Sequence, residues 1–238
     1  MPARRPLEPE IMDDPALPLA DAERALRELG RVHRWVGNGG LWRQLLPVLA
    51  RGPGRQRLLD VGTGSGQVAA EARRRAAAAG VALSVVGLDR KLAHLTIGRR
   101  AGFDQLRVVG DALALPFRDG AFDVATSVLF QHHFGSAAGR QVLAQMRRVV
   151  ARAAVVVDIR RSRLGGALGR LVLRVLRMGP VTTYDGRLSL DQGWTLDEVR
   201  AAAPARAIVA LRRRWPFRWA LVLAPAGGPR DEARTDAP

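Results

Sequence analysis

The chain has no cysteine, one tyrosine and a single lysine, Lys91. The missing thiol excludes a disulfide framework, a thiolate metal site and any mechanism built on a cysteine nucleophile. No apolar run reaches the roughly eighteen residues that a membrane-spanning helix needs. The opening stretch MPARRPLEPEIMDDP puts prolines and acids where a secretory leader requires an apolar segment. Together these absences predict a cytoplasmic protein.

Arginine is abundant instead. The 38 basic residues outweigh 22 acidic ones to give +16, and all but Lys91 are arginine. Such a balance admits a nucleic acid or an anionic membrane surface as partner. A chain equally crowded with alanine and glycine also acquires it from base composition alone. At 238 residues, 47% hydrophobic and 25% charged, the length suits one α/β domain with an added cap.

Apolar residues at helical spacing (Ala22, Leu26, Leu29, Val32, Val36) predict a helix from Asp21, and GNGG at 37–40 breaks it before a second helix carrying Leu41, Leu45 and Val48. Short apolar runs then alternate with helical patterns: RLLDV, LSVVGL, LRVVG, FDVATS and AAVVVDI as strands, with helices between them. That alternation predicts a parallel sheet covered on both faces. ARAIVALRRRW and FRWALVLA close the chain as an antiparallel hairpin. The expected fold is a Rossmann-like seven-stranded, mostly parallel sheet with that terminal hairpin, a helical N-terminal cap and a helical insertion after the fifth strand. The corresponding division is a lead-in and cap over 1–44, a domain over 45–225 with its insertion at 160–198, and a disordered tail over 226–238. The lead-in over 1–18 and the tail are expected to carry no chemistry. In the insertion, Leu164, Leu168, Leu171 and Val175 share one helical face beside Arg163, Arg170, Arg174 and Arg177, which predicts a lid with its leucines turned onto a ligand.

LLDVGTGSGQVAAEA, residues 58–72, joins a strand to a helix through glycines at 62, 64 and 66. In dinucleotide folds such a loop and the helix N-terminus cradle a pyrophosphate. Asp60 beside the glycines repels that anion, and the spacing is G-x-G-x-G because position 67 is glutamine. S-adenosylmethionine carries no phosphate and brings an ammonium and a sulfonium, so it fits where NAD does not. Asp89 ends the second strand, placed to accept from ribose hydroxyls, and Asp111 follows the third, where it meets an adenine amino group beside the Ala112 backbone. Three acids on successive strand ends share the carboxyl edge of one sheet, where ligands bind in open α/β folds.

LLDVGTGSG, GLDR, GDALALPFRDGAFDVATS and the closing hairpin resemble the class I S-adenosylmethionine-dependent methyltransferases over about residues 45–224. PFRDGAFDVATSVLFQHHF is similar to the branch holding the ubiquinone and menaquinone C-methyltransferases. The block from VVVDIRRSRLGG to DQGWTLDEV resembles a bacterial subgroup tied to polyketide or quinone-like metabolites, departing from it at Val157 and Tyr184. The expected cofactor set is Asp60, Gly62, Thr63, Gly64, Gly66, Asp89, Arg90, Asp111, Ala112 and Ser127.

Methyl transfer is an in-line displacement, so alignment and exclusion of water dominate, and a base helps only when the acceptor loses a proton. His132 and His133 follow the fourth strand, and either is suited to deprotonate a phenol or an acidic ring carbon. The other reading makes them braces for the next helix or for the cofactor. His133 is the first choice, and Tyr184 is a further candidate from the insertion, beside Asp185. Thr195 and Glu198 fit a structural capping box. No metal is expected, because neighbouring histidines do not readily chelate one ion and no other ligand cluster shows. The implied acceptor is a small, hydrophobic metabolite, with transient membrane contact if it is lipophilic. RNA methylation at a ribose or ring nitrogen is the alternative. The absent cysteine and TSVLF in place of the exocyclic-amine motif weigh against nucleic acid.

Overall fold

The computed structural model describes residues 7–36 and 39–227. The first six residues of the lead-in, positions 37–38 of the expected break and positions 228–238 of the expected tail lie outside them. A 3-10 turn at Ile11–Asp13 precedes helices α1 (Leu19–Val36) and α2 (Gly39–Ala50). Strand β1 (Gln56–Val61), α3 (Gln67–Ala78), β2 (Leu83–Asp89), α4 (Leu92–Arg100), β3 (Leu106–Val109) and β4 (Phe122–Val128) follow. A 3-10 turn at Gln131–His133 leads into α5 (Ser136–Arg148) and β5 (Val150–Ile159). The chain ends with α6 (Arg163–Val175), α7 (Pro180–Gln192), α8 (Leu196–Ala202), β6 (Ile208–Arg214) and β7 (Arg218–Leu223).

The strands form one sheet in the order β3-β2-β1-β4-β5-β7-β6. Every pairing from β3 to β5 is parallel, while β7 runs antiparallel to both β5 and β6, as the alternating pattern and the late hairpin predict. The pleat explains why the strands read as continuous apolar runs: Leu58 joins the core on one face and Leu59 the core on the other, so both sides of β1 must be apolar. One face packs under α5 and α8 with Leu143, Met146, Val199 and Trp219. The other packs under α2 and α3 with Leu41, Leu45, Leu49, Val68 and Ala72.

Of the two N-terminal helices, α2 is therefore a layer of the sheet, and α1 alone stands over its carboxyl edge, where Ala22 and Leu26 meet Ile97 of α4. The insertion is also shorter than its predicted 160–198. It is the helical hairpin α6–α7, closed at its base by an isolated bridge from Arg160 to Trp194. Beyond it α8 opens with the capping box expected of Thr195 and Glu198.

The glycine loop is held from outside by α4. A Cβ on Gly98 would stand 2.0 Å from the backbone oxygen of Ser65, a contact no side-chain atom can make. Gly98→Ala should therefore push α4 and the loop apart, lowering stability by roughly 1–3 kcal/mol in urea unfolding, the usual cost of overpacking. An unchanged midpoint would show that α4 does not set the loop.

Candidate functional site

A cavity of about 710 Å³ lies over the carboxyl ends of the strands, within the roughly 300–1,000 Å³ of ligand pockets. It opens beside the β1–β4 boundary, where strand order reverses. Its floor is Asp60, Gly62, Thr63, Gly64, Asp89, Arg90, Asp111 and Ala112; its roof comes from α1, the α6–α7 hairpin and the residues around Glu10.

Asp60 is 2% exposed, and among the described residues no cation acts on it. Thr63 Oγ1 donates to one carboxylate oxygen at 2.7 Å and Thr126 Oγ1 to the other at 3.0 Å. Burial pushes its carboxyl up to about 6, the two hydroxyls oppose that, and the charge of Asp89 adds to it. Asp89 behaves oppositely. Burial again resists its charge, but the carboxyl is held below its ordinary range by His94 and by backbone donors. Gly64 N donates to it at 2.8 Å and Lys91 N at 2.9 Å, while His94 Nδ1 lies 3.6 Å away. Asp89 thus holds the glycine loop as well as facing the cavity. Gly64 adopts φ +56°, and a Cβ there would meet only a Leu26 methyl at 3.5 Å, so this backbone presents bare surface to the cavity. Asp111 is exposed and caps its own turn by accepting from Leu113 N at 2.9 Å.

The sequence-predicted residues do not all reach the cavity. Ser127 is fully buried in β4 off its wall, because the pleat that sends Thr126 to Asp60 turns its neighbour away. Gly66 (φ +89°) caps α3 behind the wall. Tyr184 is 46% exposed on the far side of α7 and is no lid residue; its neighbour Asp185 is the one turned inward. On α6, Leu168 and Leu171 line the cavity mouth, but Leu164 and Val175 are 62% and 70% exposed and lie off it. The buried side of that helix is instead glycine-rich: Gly165 and Gly166 are covered with Leu173, and a Cβ on Gly169 would strike Leu190 of α7 at 2.6 Å.

The lead-in, expected to carry no chemistry, places Glu10, Met12 and Asp13 in the cavity wall. Asp185 accepts from Ile11 N at 2.7 Å and Met12 N at 3.0 Å, Ser189 Oγ donates to Glu10 at 2.6 Å, and Gln192 Nε2 donates to Glu8 O at 3.0 Å. These bonds run the segment along α7 and drive Glu10 into the cavity at 6% exposure. Facing it are both histidines. His132 is 3% exposed, its Nδ1 2.8 Å from Asp158 at the end of β5, its backbone N donating to the same carboxylate at 3.0 Å, and its Nε2 3.5 Å from Glu10. Burial would lower its pKa, but the Asp158 and Glu10 carboxylates reverse that and raise it to about 10. The two carboxylates thus favour its imidazolium form, whereas a general base requires the neutral ring. His133 is more open, with Nε2 3.7 Å from Glu10 and Nδ1 3.4 Å from Asp13, and its ring stacks on His132 at 4.5 Å.

Residues 59–157 match the family model described as a methyltransferase domain. The chain is 34% identical over 123 residues to a demethylmenaquinone methyltransferase of Renibacterium salmoninarum, covering 52% of this chain and 46% of that protein. It is 37% identical over 114 residues to the enzyme of that name from Thermus thermophilus, covering 46% and 49% respectively. The chain spans about half the length of these curated relatives. Among solved structures, human N-acetylserotonin methyltransferase in complex with SAM superposes with a TM-score of 0.62 at 13% identity, over 87% of this chain and 56% of that one. A SAM-dependent methyltransferase from Aquifex aeolicus gives 0.57 at 12% identity, over 87% and 98%. These structural likenesses are of fold. The family match runs from β1 to β5 and leaves out Glu10, α1 and the α6–α7 hairpin, the elements that roof the cavity.

The raised pKa of Asp60 has a stability consequence. The folded chain keeps this carboxyl protonated up to about pH 6, whereas a free aspartate releases its proton near 3.8, so stability falls as pH rises through that window. Asp60→Asn should remove the dependence and raise stability at pH 7 by as much as ~3 kcal/mol, the gain fading toward pH 4. Thermal melts of both proteins across that range measure it; equal pH profiles would refute the burial argument.

Proposed function

We propose that the chain is a class I S-adenosylmethionine-dependent methyltransferase that transfers a methyl group to an O or C atom of a small hydrophobic acceptor, of aromatic, quinone or polyketide-like chemistry. The observation that carries the cofactor is Asp60. A buried carboxylate with two hydroxyl donors and no cation beside it costs stability at neutral pH, and an ammonium in the cavity relieves that cost. A dinucleotide's pyrophosphate would aggravate it. The bare Gly64 backbone leaves room for the amino-acid moiety, and Asp89, with Arg90 beside it, stands where ribose hydroxyls would be met. When bound, the cofactor supplies an electrophilic methyl on a sulfonium; the remaining tasks fall to the protein.

Those tasks divide along the cavity. The floor binds and orients. The roof excludes water and accepts a hydrophobic body: Leu29 and Val32 from α1, Leu168, Leu171 and Val172 from α6, Trp215 and Phe217 from the hairpin turn. Polarity at the acceptor end is concentrated at Glu10, His132 and His133, where an acceptor hydroxyl or acidic ring carbon loses its proton as the new bond to the methyl forms and the sulfonium bond breaks. His133 is the accessible member of that corner. The relatives, which are demethylmenaquinone methyltransferases, support the same substrate class.

Gly64→Asn tests the floor, because asparagine tolerates the left-handed region and its side chain would project into the ligand's space. The variant should fold with a melting temperature near the parent's and lose at least tenfold in S-adenosylmethionine affinity by calorimetry; retained affinity would rule the loop out. With labelled cofactor, the parent should methylate phenols or quinols and leave total RNA unlabelled, and NAD should not bind. His133→Ala should lower kcat by roughly 10²–10⁴-fold, the range of general acid–base assistance, with cofactor affinity unchanged.

A further inference from the structure

Glu10, His132 and His133 bring three potential ligand atoms within 4.8 Å of one another. We propose that this corner binds one divalent first-row cation, zinc being the best match to its donors, through His132 Nε2, His133 Nε2 and the Glu10 carboxylate. Against the expectation that neighbouring histidines do not readily chelate one ion, the 3-10 turn at Gln131–His133 stacks the two rings, with planes 29° apart, and turns both Nε2 atoms toward one carboxylate.

Three observations carry the proposal independently of any cofactor. The first is spacing. A tetrahedral ion with ligands at about 2.0–2.1 Å sets its donor atoms roughly 3.3–3.4 Å apart. Here His132 Nε2 lies 3.5 Å and His133 Nε2 3.7 Å from the Glu10 oxygens, and the three donors fall within 4.8 Å of one another. The second is the outer shell. Metal-bound histidines turn their other ring nitrogen to a carboxylate or carbonyl, which fixes ring and tautomer. Both histidines do so here, His132 Nδ1 toward Asp158 at 2.8 Å and His133 Nδ1 toward Asp13 at 3.4 Å, while Ser189 Oγ orients Glu10 at 2.6 Å. The third is charge. Glu10, Asp13 and Asp158 bring three carboxylates to two imidazoles, with Arg218 near Asp158 and Lys91 near Asp13, and a divalent ion offsets two of the three negative charges where a proton between Glu10 and His132 offsets one.

Two imidazoles and a carboxylate with an open fourth position form a donor set that suits zinc, whereas magnesium and calcium favour all-oxygen sites. All three ligands line the cavity, so the open position faces it and takes water or an acceptor oxygen. That last role rests on the methyl-transfer reading, and with the ion bound it replaces proton transfer by His133, whose two ring nitrogens the ion and Asp13 then engage; the cation site itself does not depend on that reading.

The test is calorimetric titration of zinc into the chelator-treated 238-residue chain, alongside the visible spectrum of the cobalt-substituted form. We expect one ion per chain and intense tetrahedral cobalt bands. Glu10→Gln and His133→Ala should each weaken zinc binding at least tenfold and abolish those bands. Asp13→Asn, which keeps every ligand and alters only a partly exposed backing carboxylate, should cost about tenfold, within the range for outer-shell partners, and guards against a ligand variant that fails to fold. Absence of saturable binding overturns the proposal, as does zinc affinity that none of the three variants alters, which would mark adventitious binding elsewhere. Titrating S-adenosylmethionine into the same samples separates the two claims: cofactor binding without zinc binding removes the cation site alone, and zinc binding without cofactor binding removes the methyl-transfer reading alone.

Discussion

Asp60 is a carboxylate that the sheet buries without giving it a cation, and the floor of the cavity is arranged around that fact. Its position is forced by topology: β1 is central, flanked by β2 and β4, so a side chain near its carboxyl end has strands on both sides and the glycine loop above. Two threonine hydroxyls are the only donors the neighbouring strand and loop bring to it, and hydroxyls do not neutralise charge. The fold therefore accepts a group whose ionisation is unfavourable in isolation, the kind of perturbed titration that clusters at functional sites. Asp89, one strand over, shows the contrast. It takes two backbone N–H groups and lies beside His94, so it stays ionised and serves as the anchor of the loop.

The acceptor end follows a different construction. None of its charged groups depends on the glycine loop. Asp158 ends β5, His132 and His133 come from the turn after β4, and Glu10 and Asp13 arrive from the N-terminal segment. What brings the last pair into place is α7, whose Asp185, Ser189 and Gln192 bind the segment from Glu8 to Met12. Burial and the Glu10 charge raise the Asp185 carboxyl to about 6, so this fastening is itself an acid held against its own ionisation. Glu28, buried on α1, adds a second tie by accepting from Gly179 N at the start of α7. Roof and polar corner are thus one unit built on the insertion.

Most of the floor and little of the roof was legible in the sequence, for a physical reason. The floor is encoded locally: a strand, a glycine turn and an acid occupy adjacent positions, and Asp60, Gly64 and Asp89 are found where that pattern puts them. The rule that an acid ends a strand also applied to Asp158 in VVVDI, and following it to the fifth strand would have found the partner of His132. Glu10 had no comparable signal. An irregular, proline-bearing segment shows no periodicity, and its function depends on bonds to residues about 175 positions away, such as Asp185. On α6 the error was rotational. The leucine stripe marked an amphipathic helix correctly, but the glycines at 165, 166 and 169 let α7 approach closely on the other side, and small residues are invisible to a reading that weights large apolar ones.

The charge of the chain reads differently once these elements are in place. A nucleic-acid surface gathers unpaired arginines along one face. Here many are consumed in pairs spread over the molecule: Arg24 with Glu28, Arg27 with Glu23, Arg57 with Asp123, Arg148 with Asp119, Arg161 with Glu198, Arg170 with Asp191. Others cap backbone, as Arg147 does by donating to Ala224 O and Pro225 O. In the cavity the balance is the other way: Glu10, Asp13, Asp60, Asp89, Asp111 and Asp185 line the wall against Arg90, Lys91 and Arg218. The net charge of +16 is therefore an argument about the surface, and the sign that matters for the site is the opposite one.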